Sequence, residues 1–140
     1  MAEAYSVFPN RGTRVRPYAI DRVIGPEGDV VMGSGGARFE NVLDPEVARI
    51  IDGLLLGVVQ RGTGKEAQKV EGARGKTGTT NEAKDAWFCG YAQNLVGIGW
   101  VGNQQLVKGK MKRMPMKDGV FGGTITVRMW TSVMTLATSK

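Results

Sequence analysis

Val47, Ile50, Ile51, Leu54, Leu55, Val58 and Val59 recur at i, i+3, i+4 and i+7, the spacing that lays apolar side chains along one stripe of an α-helix. The ends of that helix are marked as well. Asp44 can accept from the free amides of a first turn, Pro45 suits the first helical position, and Gly62 or Gly64 can leave with positive φ. On this pattern Asp52 and Gln60 fall on the wet side. Extended segments are predicted over residues 73–80, 85–91 and 95–101. The last two are rich in aromatic and β-branched residues, and Ala92-Gln93-Asn94 between them is short enough for an antiparallel connection. Upstream, residues 16–24 and 29–32 flank Gly25-Pro26-Glu27-Gly28 and predict a hairpin within residues 14–31, followed by a flexible Gly33-Ser34-Gly35-Gly36 connection. The tail, residues 126–137, places Val127, Trp130, Val133, Met134 and Ala137 on one helical face behind the helix-breaking pair Gly122-Gly123. The pattern therefore predicts a small antiparallel sheet closed over by helices, an α+β arrangement. No internal repeat and no dividing linker interrupts it.

Composition adds limits. The 140 residues suffice for one ordinary domain, and 41% apolar with 23% charged residues is the balance of a folding chain. Lys and Arg outnumber Asp and Glu 19 to 13, a formal charge of +6 that favours polyanions: nucleic acid, anionic lipid or acidic wall polymers. One cysteine and no histidine argue against a zinc site and exclude an internal disulfide. No stretch reaches the roughly 18 apolar residues of a membrane span, and Met1-Ala2-Glu3-Ala4 lacks the character of a signal peptide. As written, the chain is expected to be soluble and without a targeting signal.

The segment Gly75-Lys76-Thr77-Gly78-Thr79-Thr80-Asn81 carries the candidate chemistry. Side chains alternate along a strand, so Thr77 and Thr79 share a face, and Gly78 is expected to leave the backbone between them as an uncovered trough. A peptide carboxylate could take hydrogen bonds from both hydroxyls while Lys76 supplies positive field, each charge-assisted bond contributing about 1.5–3 kcal/mol. Gly78 also lets an extended substrate lie against the strand edge, and the Thr79 amide could donate to an oxyanion. Taken alone, Lys-Thr-Gly reads first as an exposed threonine-rich strand.

That run, continued by Asp85-Ala86-Trp87-Phe88-Cys89-Gly90-Tyr91 and Trp100-Val101-Gly102-Asn103, resembles the late part of the transpeptidase domain of class A, bifunctional penicillin-binding proteins. The resemblance reaches both ends of the chain. Ala4-Tyr5-Ser6-Val7-Phe8, Arg11-Gly12 and Pro17-Tyr18-Ala19-Ile20 are similar to the segment before the family's hairpin, Arg61-Gly62-Thr63-Gly64 to its helix exit, and Gly122-Gly123 with Trp130 to its closing helix. It implies the C-terminal part of a β-lactamase/transpeptidase-like fold over residues 1–140. It also implies a peptidoglycan transpeptidase that cuts a D-Ala-D-Ala bond by serine acyl transfer and binds penicillin. Lys76 and Thr79 would then be catalytic, with Lys76, Thr77, Gly78 and Thr79 binding substrate. The family uses Ser-x-x-Lys, Ser-x-Asn and Lys-Thr-Gly, of which only the third stands here; Ser6, Ser34, Ser132 and Ser139 fit neither of the others. The nucleophile is therefore expected upstream, and Met1-Ala2-Glu3-Ala4-Tyr5 resembles the interior of a family helix.

The resemblance further implies stem peptides and β-lactams as partners, no cofactor or metal, the missing N-terminal part of the same domain, and a membrane-anchored parent in the cell envelope, at the periplasmic or extracytoplasmic face of the inner membrane. A β-lactamase-like hydrolase is an alternative, because it shares the Lys-Thr-Gly strand. A basic nucleic-acid-binding module is another, although Lys108 to Lys117 reads better as a solvated loop: Gly109 and Pro115 prevent a basic helix, and no aromatic residue is interleaved for base stacking. Nucleic acid is not the expected partner. Arg74 stands where the family usually carries a small apolar residue, and its charge needs solvent or a partner. Asp85 reads as a turn cap, Trp87, Phe88 and Tyr91 as alternating strand residues, and Cys89 as a buried small hydrophobe.

Overall fold

The computed structural model describes residues 1–117 and 119–139. Asp44 accepts from the amides of Glu46 (2.8 Å) and Val47 (3.4 Å), Pro45 takes the first helical position, and helix α2 runs Pro45–Arg61. It follows a short helix α1, Ala2–Ser6, and precedes α3, Val127–Thr138. Four strands, β5 (Arg74–Thr79), β6 (Asp85–Ala92), β7 (Leu95–Val107) and β8 (Lys110–Met114), form one antiparallel sheet in the order β5-β6-β7-β8. The turn between β6 and β7 is only Gln93-Asn94, with Gln93 at φ 52°.

Cross-strand partners share a face of a sheet, so the register Thr77↔Phe88↔Gly99 defines one side and Lys76↔Cys89↔Ile98 the other. The Phe88 side is the core. There Val59 of α2, Ala67, Val70 and Ala73 of the bridge, and Val127, Trp130 and Met134 of α3 meet Phe88 and Ala92. Phe88 is fully buried and meets Trp130 edge-on at 5.0 Å. Gly97 makes this approach possible, because a Cβ there would stand 2.5 Å from Trp130 Nε1. The indole instead donates to Gly97 O at 3.0 Å. Trp87 and Tyr91 lie on the opposite side, as expected for alternating strand residues.

The remaining strands lie outside this sheet. β2 (Arg22–Ile24) and β3 (Val30–Gly33) form the predicted hairpin, but residues 13–16 do not extend it. They form β1 (Thr13–Arg16), which pairs with β4 (Arg38–Asn41), a strand the sequence pattern did not reveal. Two further expectations change. Residues 108–117 are not a loop throughout: Lys108-Gly109 turn the chain with positive φ and Lys110–Met114 return as β8, which puts Lys110 and Lys112 on one face and Arg113 on the other. Gly62 and Gly64 do not leave α2 with positive φ (−105° and −98°); their amides both reach Val58 O, at 3.0 and 3.1 Å, and it is room for that close approach that glycine supplies.

The apolar stripe of α2 is present but half of it is bare. Leu55 and Val59 are buried, whereas Val47, Ile50 and Leu54 are 42%, 52% and 66% exposed. On α3 the buried face is Val127, Trp130, Thr131 and Met134, not Val133 or Ala137, because the helix turns its 127-130-134 edge onto Gly97 and Phe88. Val133 and Leu136 are exposed. Surfaces of this kind associate in water. Residues 1–140 in isolation are therefore expected to form species above the monomer mass in sedimentation velocity; a monodisperse, cooperatively melting monomer would contradict this.

Candidate functional site

β5 is an edge of the four-stranded sheet, paired only with β6 among the described residues. The Thr80 amide donates to Asp85 O at 3.0 Å, and bonded pairs alternate along an antiparallel ladder. Counting back from Thr80 in the observed register, Gly78 and Lys76 fall at bonded positions and Thr77 and Thr79 at non-bonded ones. The backbone N–H and C=O of Thr77 and Thr79 therefore face away from β6, along the open edge. Lys76 agrees with this: it is exposed, and its Nζ donates to Thr77 O at 2.8 Å.

The threonine hydroxyls do not stand over an empty trough. Thr77 Oγ1 lies 2.5 Å from Thr63 Oγ1, and Thr79 Oγ1 accepts from the Gly122 amide at 3.1 Å. Gly122 seats over the Gly78–Trp87 pair so closely that a Cβ on it would stand 2.5 Å from Trp87 O and 2.6 Å from Gly78 O. The bare side of Gly78 thus belongs to the opposite face, next to Trp87, while the backbone of the Gly122-Gly123 turn fills the space between the threonines. That turn is the start of a π-helical segment, Gly122–Thr126, leading into α3. Thr63 is held from the other direction, between the two glycines whose amides share Val58 O. Both residues stand in segments the sequence marks, one as a helix exit and one as a helix breaker, but neither segment signals contact with β5.

Just past the far end of β5 a buried carboxylate ties three strands to Thr80. Asp85 is 2% exposed and accepts from Trp100 Nε1 (2.9 Å) and Arg113 Nη1 (2.9 Å), while its own amide donates to Thr80 Oγ1 at 2.9 Å. Asp85 is more than the turn cap expected of it: the indole of β7 and the guanidinium of β8 converge on it. Arg113, read from the sequence as part of a solvated basic run, is its ion-pair partner. At the near end, Asp52 is not on the wet side of α2 but binds both Arg74 Nε (3.0 Å to Oδ1) and the Tyr91 hydroxyl (2.7 Å). That pair answers the question of where the Arg74 charge goes. Burial, followed by the Asp52 carboxylate it donates to, pushes the Tyr91 hydroxyl well above the ordinary tyrosine range. Cys89 is 3% exposed, and burial raises its thiol likewise, as fits a small apolar strand residue.

A cavity of about 740 Å³ beside Phe8, Asp44, Glu46 and Arg49, and one of about 520 Å³ beside Asp52, Glu71, Arg74 and Tyr91, lie away from Lys76 to Thr79. Among the described residues no group of three or more His, Cys, Asp or Glu is placed to hold a metal ion. What the β5 edge offers is an ammonium, two hydroxyls and backbone groups not taken by β6 in a row, a set suited to an extended ligand with an anionic end.

The family model described as the penicillin binding protein transpeptidase domain matches residues 1–113. Penicillin-binding protein 1A of Neisseria lactamica is 36% identical over 143 residues, covering 98% of this chain, and that of Pseudomonas aeruginosa is 27% identical over 189 residues. The chain spans 17% and 22% of the length of these two relatives. Among solved structures, the D,D-transpeptidase domain of a peptidoglycan glycosyltransferase from Eggerthella lenta superposes with a TM-score of 0.73 at 25% identity, covering 97% of this chain and 30% of that one. Penicillin-binding protein 1A from Haemophilus influenzae gives 0.78 at 23% identity, covering 99% and 26%.

Two outcomes are expected from this geometry. Asp85→Ala leaves the Trp100 indole and Arg113 without their acceptor and should lower stability by about 2–4 kcal/mol, read as a lower urea midpoint. An unchanged midpoint would show that Asp85 is not the tie described. For Tyr91 the folded-state pKa lies above the unfolded one, so its contribution is complete below about pH 10, the unfolded tyrosine value, and declines as pH rises beyond it. Urea midpoints should therefore fall between pH 9 and 11 more steeply in the parent than in Tyr91→Phe; equal slopes would contradict the assignment.

Proposed function

The chain belongs to the penicillin-binding protein transpeptidase domain family, and from that premise we propose that residues 1–140 are the C-terminal portion of a peptidoglycan DD-transpeptidase domain. The parent protein cross-links stem peptides by acyl transfer. A serine supplied from outside these residues attacks a D-Ala-D-Ala bond, the terminal D-Ala leaves with a proton on its new amine, and the acyl group passes to an amine of a second stem peptide. β-Lactams enter as mimics of the donor peptide and are held at the same edge. The parent is anchored to a membrane and works in the cell envelope, on the extracytoplasmic face.

Within this chain the roles follow from position. The substrate lies antiparallel along β5 and takes the edge-facing backbone groups of Thr77 and Thr79, displacing Lys76 Nζ from Thr77 O. The hydroxyls of those two residues donate to its terminal carboxylate, Lys76 contributes positive field and supports proton transfer, and the Thr79 amide is one donor to the oxyanion. Gly78 allows close approach from its bare side. The observation that carries the reading is the register, which leaves Thr77 and Thr79 with both backbone groups on the free side of an edge strand. The family match favours this over a β-lactamase-like hydrolase. Along β8 Arg113 is engaged by Asp85 on the face opposite Lys110 and Lys112, which breaks the basic run that a nucleic-acid interface would need.

A fluorescent penicillin is expected to label the full-length parent covalently and to leave isolated residues 1–140 unlabelled. In the parent, Thr79→Val should slow acylation by about tenfold or more, the effect of one lost charge-assisted hydrogen bond. Labelling of the isolated 140 residues, or a Thr79→Val parent that acylates normally, would refute the proposal.

A further inference from the structure

The geometry points to Thr63, at the exit of α2, as a positioning residue that makes the Thr77 hydroxyl a donor and so sets the site's preference for an anionic ligand end. This rests on the substrate-gripping reading above and adds to it how the grip is oriented.

A hydroxyl carries one proton and two acceptor lone pairs. In the 2.5 Å contact between Thr63 Oγ1 and Thr77 Oγ1 one of the two oxygens donates. If Thr77 donated to Thr63, its proton would be consumed inside the protein and the oxygen facing the ligand would offer only lone pairs, which repel a carboxylate. If Thr63 donates, the Thr77 proton is free to point at the ligand, and the first bond polarises the second along the chain Thr63 O–H to Thr77 O–H to anion. An anion therefore selects the second arrangement, and a neutral ligand end has much less power to do so.

The neighbouring hydroxyl is set in the same sense by a group with no alternative. The Gly122 amide can only donate, and it donates to Thr79 Oγ1 at 3.1 Å, which leaves the Thr79 proton for an outside acceptor. Two adjacent hydroxyls on one strand face, each with an oxygen lone pair filled by a donor from within the protein, thus become two outward donors. Thr63 is placed for this by its setting. The flanking Gly62 and Gly64 amides are both fixed on Val58 O, Gly64 packs against the Phe88 ring, and Gly123 lies against the Thr63 backbone, its would-be Cβ 3.0 Å from Thr63 O.

The test uses the full-length parent, with acylation rates measured for a penicillin and for the same penicillin with its carboxylate methylated. Thr63→Val, which keeps the shape and removes the bond that polarises the Thr77 hydroxyl, is expected to slow acylation by the free acid about threefold and to leave the ester nearly unchanged. Thr63→Ser should stay within about twofold of the parent for both ligands, and Thr63→Val combined with Thr77→Val should be no slower than Thr77→Val alone. Equal loss on acid and ester, or losses that add in the double variant, would mean that Thr63 only supports the fold, and the inference would fall. It would also fall if Thr63→Val behaved as the parent while Thr77→Val was slow, although the gripping role of Thr77 would then stand. If Thr77→Val itself left acid acylation unchanged, the gripping reading would fail and this inference with it.

Discussion

An antiparallel ladder distributes its backbone groups by parity, and a slip of one residue sends every side chain to the other face and every unpaired amide to the other edge. The register of β5 on β6 is therefore the constraint on which the site depends. Phe88 opposite Thr77 fixes its parity from the core, because the fully buried ring lies on the α3 side and its partner shares that side. The Asp85 cluster fixes it from the end, because Thr80 meets Asp85 through both its amide and its hydroxyl. With those two ends set, Thr77 and Thr79 have their hydroxyls on the helix-covered face and their backbone groups on the free edge.

The core and the site share parts. Gly64 touches the Phe88 ring and sits one residue from Thr63, which reaches Thr77. The turn that begins α3 covers Gly78 and binds Thr79, and the same helix carries Trp130 onto Phe88. The helices flanking β5 thus act through their ends, where backbone amides and glycines allow approaches that a side chain would block. Packing along their shafts holds those ends in place.

Much of this was legible in the sequence, and the exceptions share a cause. The cap at Asp44, the turn at Gln93-Asn94 and the strand character of residues 85–91 are local signals, and they appeared where expected. The β1–β4 pair and β8 were missed because residues 38–41 and 110–114 are charged and almost wholly exposed, so no burial pattern marks them as strands. Helical phase alone places Asp52 on a wet face, but its partners, Arg74 and Tyr91, come from β5 and β6, which the phase does not report. The Lys-Thr-Gly-Thr strand could be identified from its residues and neighbours in the sequence. What fills the space over Gly78, and which groups hold the two hydroxyls, depends on contacts 14 and 43 residues away in the chain.

The β2–β3 hairpin is built differently from everything around it. All seven of its strand residues are exposed, Val30, Val31 and Met32 among them, and two strands without a third or a covering layer are marginal in water. Its amides can part from one another without disturbing Phe88 or the Asp85 cluster, so its opening is a separate equilibrium from that of the central sheet. Changes of sequence or length at Gly25 to Gly28 are accordingly free of the demands that bind β5, and this arm can be altered while the β5 edge stays as it is.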